Sequence, residues 1–494
     1  MLLKNLFENV CCDKNVLKKI ENFDVKNITK DCENISKNCV YFCLTDEKIK
    51  AQKRCEIALQ NGADLIVSNF DFDSEKHIKL SSCRKAFSAC CANFYDHACD
   101  KMKIVGITGT NGKTSICSIV NQILSLNNVK VGVIGTNGVF YDGKEFPCSL
   151  TTPDADFLHK TFFDMHKAGV EVVVMEVSAH AVVQNRIDDI TFEVGVLSNI
   201  TQDHLDYFKT MENYQKAKLD FIKRDRVLHK IACIDDERIF KNLDFEKSNV
   251  LSYGVKNPAD IFAIDTKYSL LGTTFVANVN DEIVLSKNKL VGLWNVYNSL
   301  AALAVCQVLG LDSKQLESGI CAVTPIDGRF NVLTALGRSV IIDFAHSPDS
   351  LKNVLLTVKN LCKGRVFLVF GCGGNRDKTK RIEMGKVAQE FADVVCLTDD
   401  NPRFEDEMQI ISDIEKGLTK PHYVELDRQK AIEKMIKLSS AADFVLVAGK
   451  GAEKYQEKDG KKIFYNDFDA VLKISKSRLK NLKNNDQNFS QNQE

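Results

Sequence analysis

The sequence predicts an α/β protein of three domains: an N-terminal mixed α/β domain, a central domain with a mostly parallel sheet, and a C-terminal Rossmann-like domain. Three observations predict it. From residue 103 onward, short runs rich in β-branched residues alternate with helix-period segments, the pattern of a parallel sheet covered on both faces. A second alternating series of the same form begins near residue 339. The chain has 494 residues, enough for about three units of roughly 100–200 residues each.

Taken in order, residues 1–102 hold short mixed elements. CVYFCL (39–44) and ADLIVSNF (63–70) read as strands, and AQKRCEIALQNGA (51–63) as a helix ended by Gly62. KIVGIT (103–108) reads as a buried strand. The SICSIVNQILSL that follows puts Ile116, Ile119, Val120, Ile123 and Leu124 on one helical face. Strand VGVIGT (131–136), a helix around 154–168, and strands VEVVVMEV (170–177) and VGVLSNI (194–200) continue the alternation. The second series reads SVIIDFAH, RVFLVFGC, DVVCLTDD and DFVLVAGK, with helical segments between. The expected boundaries are 1–102, 103–325 and 326–475, with a hinge near TPIDGRF (324–330). Residues 476–494, rich in Asn, Gln, Lys and Ser, read as a disordered tail.

Acids and bases balance at 66 each, so there is no global field to draw in nucleic acid or an anionic membrane. Phosphate binding must then come from local sites. No run reaches the ~18 apolar residues of a membrane span. The opening MLLKNLFENVCCDKN lacks the apolar stretch and cleavage site of a signal peptide. The 18 cysteines, among them Cys11-Cys12 and Cys90-Cys91, have no paired C-x-x-C spacing, and are expected as reduced thiols in a cytoplasm.

GITGTNGKTS (106–115) lies between a strand and a helix. Small residues let the backbone curl so that N–H groups point at phosphate oxygens, the helix dipole adds to this, Lys113 reaches terminal phosphates and the Thr114 hydroxyl suits Mg²⁺. Ile107 stands where the first glycine of a P-loop usually lies, and the glycines fall at 106, 109 and 112. Nucleotide binding follows; what is done with the nucleotide does not. Glu176 ends the next apolar strand, a place for a metal ligand or a solvent-facing charge. In NITQDHLDYF (199–208), Asp203 and Asp206 fit a helix N-terminus, whereas His204 fits a metal or carboxylate partner. TTP (151–153) reads as an N-cap with Pro at the first helical position. Ser178, His180, Gln184 and Arg186 form a polar set that either binds a sugar, phosphate or carboxylate, or caps an exposed helix.

In the second series, Asn295 and Asn298 share a helical face that suits a base or ribose, and Asp343 and His346 sit at a strand end. GCGGNRDKTKR (371–381) reads as an anion-friendly strand exit or as a turn with solvated charges. In DDNPRFED (399–406), Pro402 fixes a turn and Arg403 offers a planar fork for a carboxylate. AGKGAEKY (448–455) adds Glu453, which suits an ammonium, so the two together describe a site for an amino acid.

GTNGKT, MEVSAHAVVQNR, NITQDHLDYF, YQKAK, GLWNVYN, DGRF, DFAHSPDS and GCGGNRDKTKR, from about 103 to 456, resemble the motifs of the Mur ligase family in their order. DNPR (400–403) resembles the element of its diaminopimelate-adding members. The resemblance implies a UDP-binding N-terminal domain, a central P-loop ATPase domain and a Rossmann-like amino-acid-binding domain. It also implies a monomeric ATP- and Mg²⁺-dependent ligase of cell-wall precursors, with small-molecule substrates and neither nucleic acid nor membrane insertion. Gly109, Thr110, Asn111, Gly112, Lys113, Thr114 and Ser115 would then bind ATP, with Asn295, Asn298, Arg329 and Asp343 across the hinge. Lys113, Glu176, His204 and Lys218 would be catalytic. Thr114, Glu176, His204 and a carbamylated Lys218 (N6-carboxylysine) would hold metal. Asp31, Thr151, Thr152, Ser178, Gln184 and Arg186 would meet the UDP-muramyl dipeptide, and Arg376, Asp400, Asn401, Pro402, Arg403, Gly449 and Glu453 diaminopimelate. Two departures stand out: Asp31-Cys32-Glu33 where the family has Asp-Ser-Arg, and Ala452 where it tends to have His. A lysine-adding relative, a folylpolyglutamate synthase and a non-catalytic P-loop binding protein are the alternatives.

Overall fold

The computed structural model describes residues 1–10, 23–246 and 249–475. The expected tail at 476–494 and Cys11-Cys12 lie outside the described residues. The chain builds three main sheets, each with its own apolar core. The first has four parallel strands in sequence order: Asn27–Thr29, Cys39–Phe42, Leu65–Ser68 and His77–Lys79.

The second sheet has eleven strands. Its middle runs Ile261–Ser269, Val250–Gly254, Val227–Cys233, Phe192–Leu197, Lys103–Thr108, Val172–Glu176 and Val131–Gly135, all parallel. Antiparallel strands Gly272–Val279 and Glu282–Asn288 extend one edge, and Gly138–Tyr141 and Lys144–Phe146 the other. The central strands are buried on both faces, which is why they read as continuous apolar runs. Helix Lys113–Leu126 buries Ile116, Ile119, Val120, Ile123 and Leu124, the face its spacing predicts. It packs on Leu293–Val308, a helix buried nearly all round. Sequence reading assigned nothing between residues 223 and 291, where five strands lie. Three of these, at 261–288, expose alternate residues, so their apolar content is diluted by polar positions.

The third sheet runs Asn331–Ala335, Arg338–Asp343, Phe444–Ala448, Val366–Phe370, Val394–Leu397 and Tyr423–Val424, parallel except for the first pair. Its two faces fill separate cores: Ile341, Leu368 and Leu446 point one way, Val340, Phe367 and Val445 the other. A small hairpin, Tyr455–Lys458 and Lys461–Phe464, follows.

Two local expectations are corrected. TTP is not a helix cap: helix Ala155–Lys167 has Asp154 at its N-cap position, and Thr152 Oγ1 instead donates to the Glu176 carbonyl at 2.9 Å. The alternative of solvated charges in GCGGNRDKTKR fails for Lys380 and Arg381, which are buried. Arg381 pairs with Glu405 and Asp413, both at 3.1 Å, so two carboxylates compensate its desolvation. None of the sixteen described cysteines is joined in a disulfide to another described cysteine. No helix among the described residues is long and apolar enough to cross a membrane.

Candidate functional site

The carboxyl ends of the second and third sheets face a common cleft, the usual place for ligands in open α/β sheets. One cavity, of about 480 Å³, takes Lys113, Thr114, Glu176 and His204 from the second sheet, and Arg376, Asn401, Arg403 and Glu453 from the third. A second, of about 490 Å³, shares Asn111, Gly112, Ser115 and Arg329 with it and continues past Asn298, Tyr297, Trp294 and Asp343.

The loop between them is pinned on both sides. Gly109 (φ +151°) and Gly112 (φ +91°) adopt backbone that side chains disfavour. A Cβ would stand 1.9 Å from Ser198 Oγ at the first and 2.6 Å from Asn298 Oδ1 at the second. The Thr110 N–H donates to the Asn199 carbonyl (2.9 Å), and the Asn111 N–H to Asn199 Oδ1 (2.9 Å). Lys113 Nζ bends back to donate to the carbonyls of Gly109 (2.9 Å) and Thr110 (3.0 Å), and burial holds its pKa below the usual range.

Glu176 ends its strand 2% exposed. Its Oε1 accepts from Thr114 Oγ1 (3.0 Å) and the Thr136 N–H (2.9 Å), and its Oε2 from Thr136 Oγ1 (3.1 Å). Gly135 leaves room for it, since a Cβ there would lie 2.3 Å from Oε1. Beside it, Arg186 donates to the Thr152 carbonyl (2.7 Å) and pairs with Asp154 (2.8 Å). Ser178 caps the helix Ala179–Val183, so the capping alternative holds for its hydroxyl, yet it also lines the cavity with Thr151, Thr152 and Arg186. Gln184 does not; it accepts from Arg186 Nη2 (2.6 Å) and acts behind it.

His204 is driven down to about 3 by burial, opposed by Asp203 and aided by His180, Lys113 and Lys218, so its ring is neutral with a lone pair to offer. Lys218 is 1% exposed and lines neither cavity. Burial, then the Lys113 charge, pushes its pKa far below the ordinary lysine value, and its Nζ lies 4.7 Å from the Tyr214 ring centre. Across the cleft, Arg329 Nη2 donates to Thr114 Oγ1 (3.2 Å). Asp343 accepts the N–H groups of Phe330 (2.8 Å) and Ala345 (2.7 Å), while burial raises its pKa to about 6. Asn298 lines the second cavity; Asn295 does not, and holds it from behind (3.1 Å).

Arg403 has φ +54°. Its Nη1 donates to the Gly374 carbonyl (2.8 Å) and its Nε pairs with Glu457 (3.2 Å). Asn401 Nδ2 donates to Glu453 (3.0 Å), and the fully buried Lys450 donates to both Asn401 Oδ1 (3.0 Å) and Glu453 (2.8 Å). Asp400 and Gly449 also line the cavity; Pro402 does not. Asp31 stays outside as well. It is exposed, and its carboxylate accepts from the Glu33 N–H (3.0 Å) and Asn34 Nδ2 (2.7 Å). Its neighbour Lys30 instead pairs with Asp154, beside Arg186.

Sequence reasoning passed over Thr136, Asp154, Lys450 and Glu457. Thr136 and Lys450 follow strand ends on the same sheet edges as the assigned residues, a usable signal. Asp154 and Glu457 matter through partners distant in sequence, and nothing local marks them.

The Mur ligase middle domain matches residues 107–306, and the Mur ligase glutamate ligase domain residues 328–451. The UDP-N-acetylmuramoyl-L-alanyl-D-glutamate--2,6-diaminopimelate ligase of Clostridium tetani is 36% identical over 482 residues, covering 93% of this chain and 98% of that protein. The ligase of the same name from Alkaliphilus oremlandii is 34% identical, covering 96% and 99%. A solved structure of a ligase so named superposes with a TM-score of 0.67 at 29% identity, covering 93% of this chain and 96% of that one. With likeness running nearly the length of the chain, this protein belongs to the Mur ligase family of ATP-dependent, peptide-bond-forming ligases.

Proposed function

We propose that this protein is the cytoplasmic, monomeric ligase that adds meso-2,6-diaminopimelate to UDP-N-acetylmuramoyl-L-alanyl-D-glutamate. The observation that carries this reading is the single cavity in which a phosphate loop, the Thr152–Ser178–Arg186 group and the Arg403–Glu453 pair all have side chains. Three reactants must meet, and three kinds of binding group do.

In the first step a γ-carboxylate oxygen of the D-glutamyl residue attacks the γ-phosphorus of ATP. The bond to ADP breaks and an acyl phosphate forms. Lys113 and Arg329 offset the charge of the two anions, and the loop N–H groups hold the phosphates. In the second step the diaminopimelate amine attacks the acyl carbon, loses a proton, and inorganic phosphate leaves. Arg403 holds the distal carboxylate and Glu453 the distal ammonium, with Asp400, Asn401, Gly449 and Arg376 around them. Closure of the two sheets on the bound reactants would keep water from the acyl phosphate.

The residues suit magnesium. The Thr114 hydroxyl and Glu176 carboxylate converge at 3.0 Å, and His204 is neutral. The Lys218 amine has no acidic hydrogen-bond partner among the described residues and is biased towards the neutral form. That form can add carbon dioxide, releasing one proton and leaving a carbamate, which would let Lys218 serve as a ligand with Thr114, Glu176 and His204. Bound Mg²⁺ would screen phosphate charge during transfer. Phosphate release with UDP-muramyl dipeptide and ATP, comparing diaminopimelate with lysine, tests the assignment. Preference for lysine, or turnover only with a folate and glutamate, would overturn it.

A further inference from the structure

Both groups assigned to grip the incoming amino acid already hold partners of the ligand's own kind. Arg403, proposed above for the distal carboxylate, is paired through Nε with the Glu457 carboxylate at 3.2 Å. Glu453, proposed for an ammonium, accepts from the Lys450 ammonium at 2.8 Å. The hairpin that carries Glu457 is fastened to the Arg403 turn: the Arg403 N–H donates to the Glu457 carbonyl (2.9 Å), and the Asp459 N–H to the Arg403 carbonyl (2.7 Å). The Glu457 N–H in turn donates to Asn401 Oδ1 at 2.9 Å. Glu457 is therefore held against the guanidinium by backbone as well as by charge.

We propose that Glu457 is a specificity-determining positioning residue, an internal carboxylate that offsets Arg403 and sets how strongly the site favours an amino acid with a distal carboxylate. This rests on the reading of Arg403 given above. A guanidinium has five N–H donors in a fixed fork. Nε lies 3.2 Å from the Glu457 carboxylate as an ion pair, and Nη1 donates to the Gly374 carbonyl, which leaves the Nη2 edge for a ligand. A carboxylate docked on that edge lies on the same cation as Glu457, and the two anions repel. A ligand ending in an ammonium alone meets the opposite balance, because Glu457 masks a cation that would otherwise repel it. Glu457 thus weakens diaminopimelate binding and softens exclusion of lysine. Both side chains keep about a fifth of their exposure, so the effect is that of a partly screened pair.

Glu457→Gln tests it, since the amide keeps the shape while removing the charge. The KM for diaminopimelate is expected to fall about twofold to fivefold and the use of lysine to decline by a similar factor. Glu457→Asp, which keeps the charge, is expected to restore the wild-type order. A merely structural role would move both substrates in the same direction, and that outcome, or an unchanged preference, overturns the proposal. Arg403→Ala separates the two readings. If it leaves the diaminopimelate KM unaltered, the assignment of Arg403 itself fails. If it raises KM while Glu457→Gln does not lower it, only the role of Glu457 fails.

Discussion

Gly135→Ala isolates the seat of Glu176. Gly135 is not among the positive-φ residues, so its backbone accepts alanine, and the cost lies in the contact. The new Cβ would stand 2.3 Å from Glu176 Oε1, 2.9 Å from Cδ and 3.0 Å from Cγ. Restoring ordinary contact near 3.5 Å requires the carboxylate to retreat by about 1 Å. Oε1 is the oxygen that accepts from Thr114 Oγ1 and the Thr136 N–H at 3.0 and 2.9 Å, and such a retreat carries at least one of these beyond hydrogen-bond range. A hydrogen bond to a charged group contributes about 1.5–3 kcal/mol. At ~1.36 kcal/mol per tenfold, loss of one from the reacting arrangement predicts a fall in turnover of about 10- to 150-fold. The assay is phosphate release with ATP, UDP-muramyl dipeptide and diaminopimelate, with denaturant unfolding run alongside. A folded variant with turnover within about twofold of wild type, a change of only ~0.4 kcal/mol, would refute the reasoning.

Three other expectations follow from buried charge. Asp343 has its pKa raised from 3.8 to about 6, so the folded state holds the proton more tightly than the unfolded chain. Its contribution is full below about pH 4 and is lost as pH rises through about 6; the difference, about 2 pH units at 1.36 kcal/mol each, is about 3 kcal/mol. Unfolding free energies of wild type and Asp343→Asn should therefore diverge between pH 4 and 6, and parallel curves would remove the idea. Lys218→Met should leave stability equal or higher, because a desolvated polar group is removed whether it is amine or carbamate, yet cut phosphate release more than about tenfold. A carbamate carbon resonance from labelled carbon dioxide should be present in wild type and absent in the variant; no resonance in wild type would end the carbamate proposal. Arg428 and Asp467 are both 0% exposed and paired at 2.8 Å. Arg428→Met strands the carboxylate and should destabilise the protein by about 3–5 kcal/mol in a denaturant titration; a shift under ~1 kcal/mol would contradict it.

Features encoded within a single element were readable from the residues alone. The apolar face of helix Lys113–Leu126 follows from a period near 3.6, and the buried strands from unbroken β-branched runs, because burial on both faces leaves no room for polar residues. Lys113, Glu176, His204, Asp343 and Arg403 were legible as candidates because each lies at or just past a strand or at a glycine-rich turn on the ligand edge.

Tertiary structure decided which candidates share a cavity. It set Asp31 outside and brought Lys30 to Asp154; it placed Gln184, Asn295 and Lys218 behind the wall rather than in it. It also decided the state of each group, since the depressed His204, the raised Asp343 and the Glu457 carboxylate on Arg403 depend on neighbours brought close by folding. Burial and charge–charge forces act over a few ångströms of space, not of sequence, so a linear reading can name the titrating groups but cannot assign their charges.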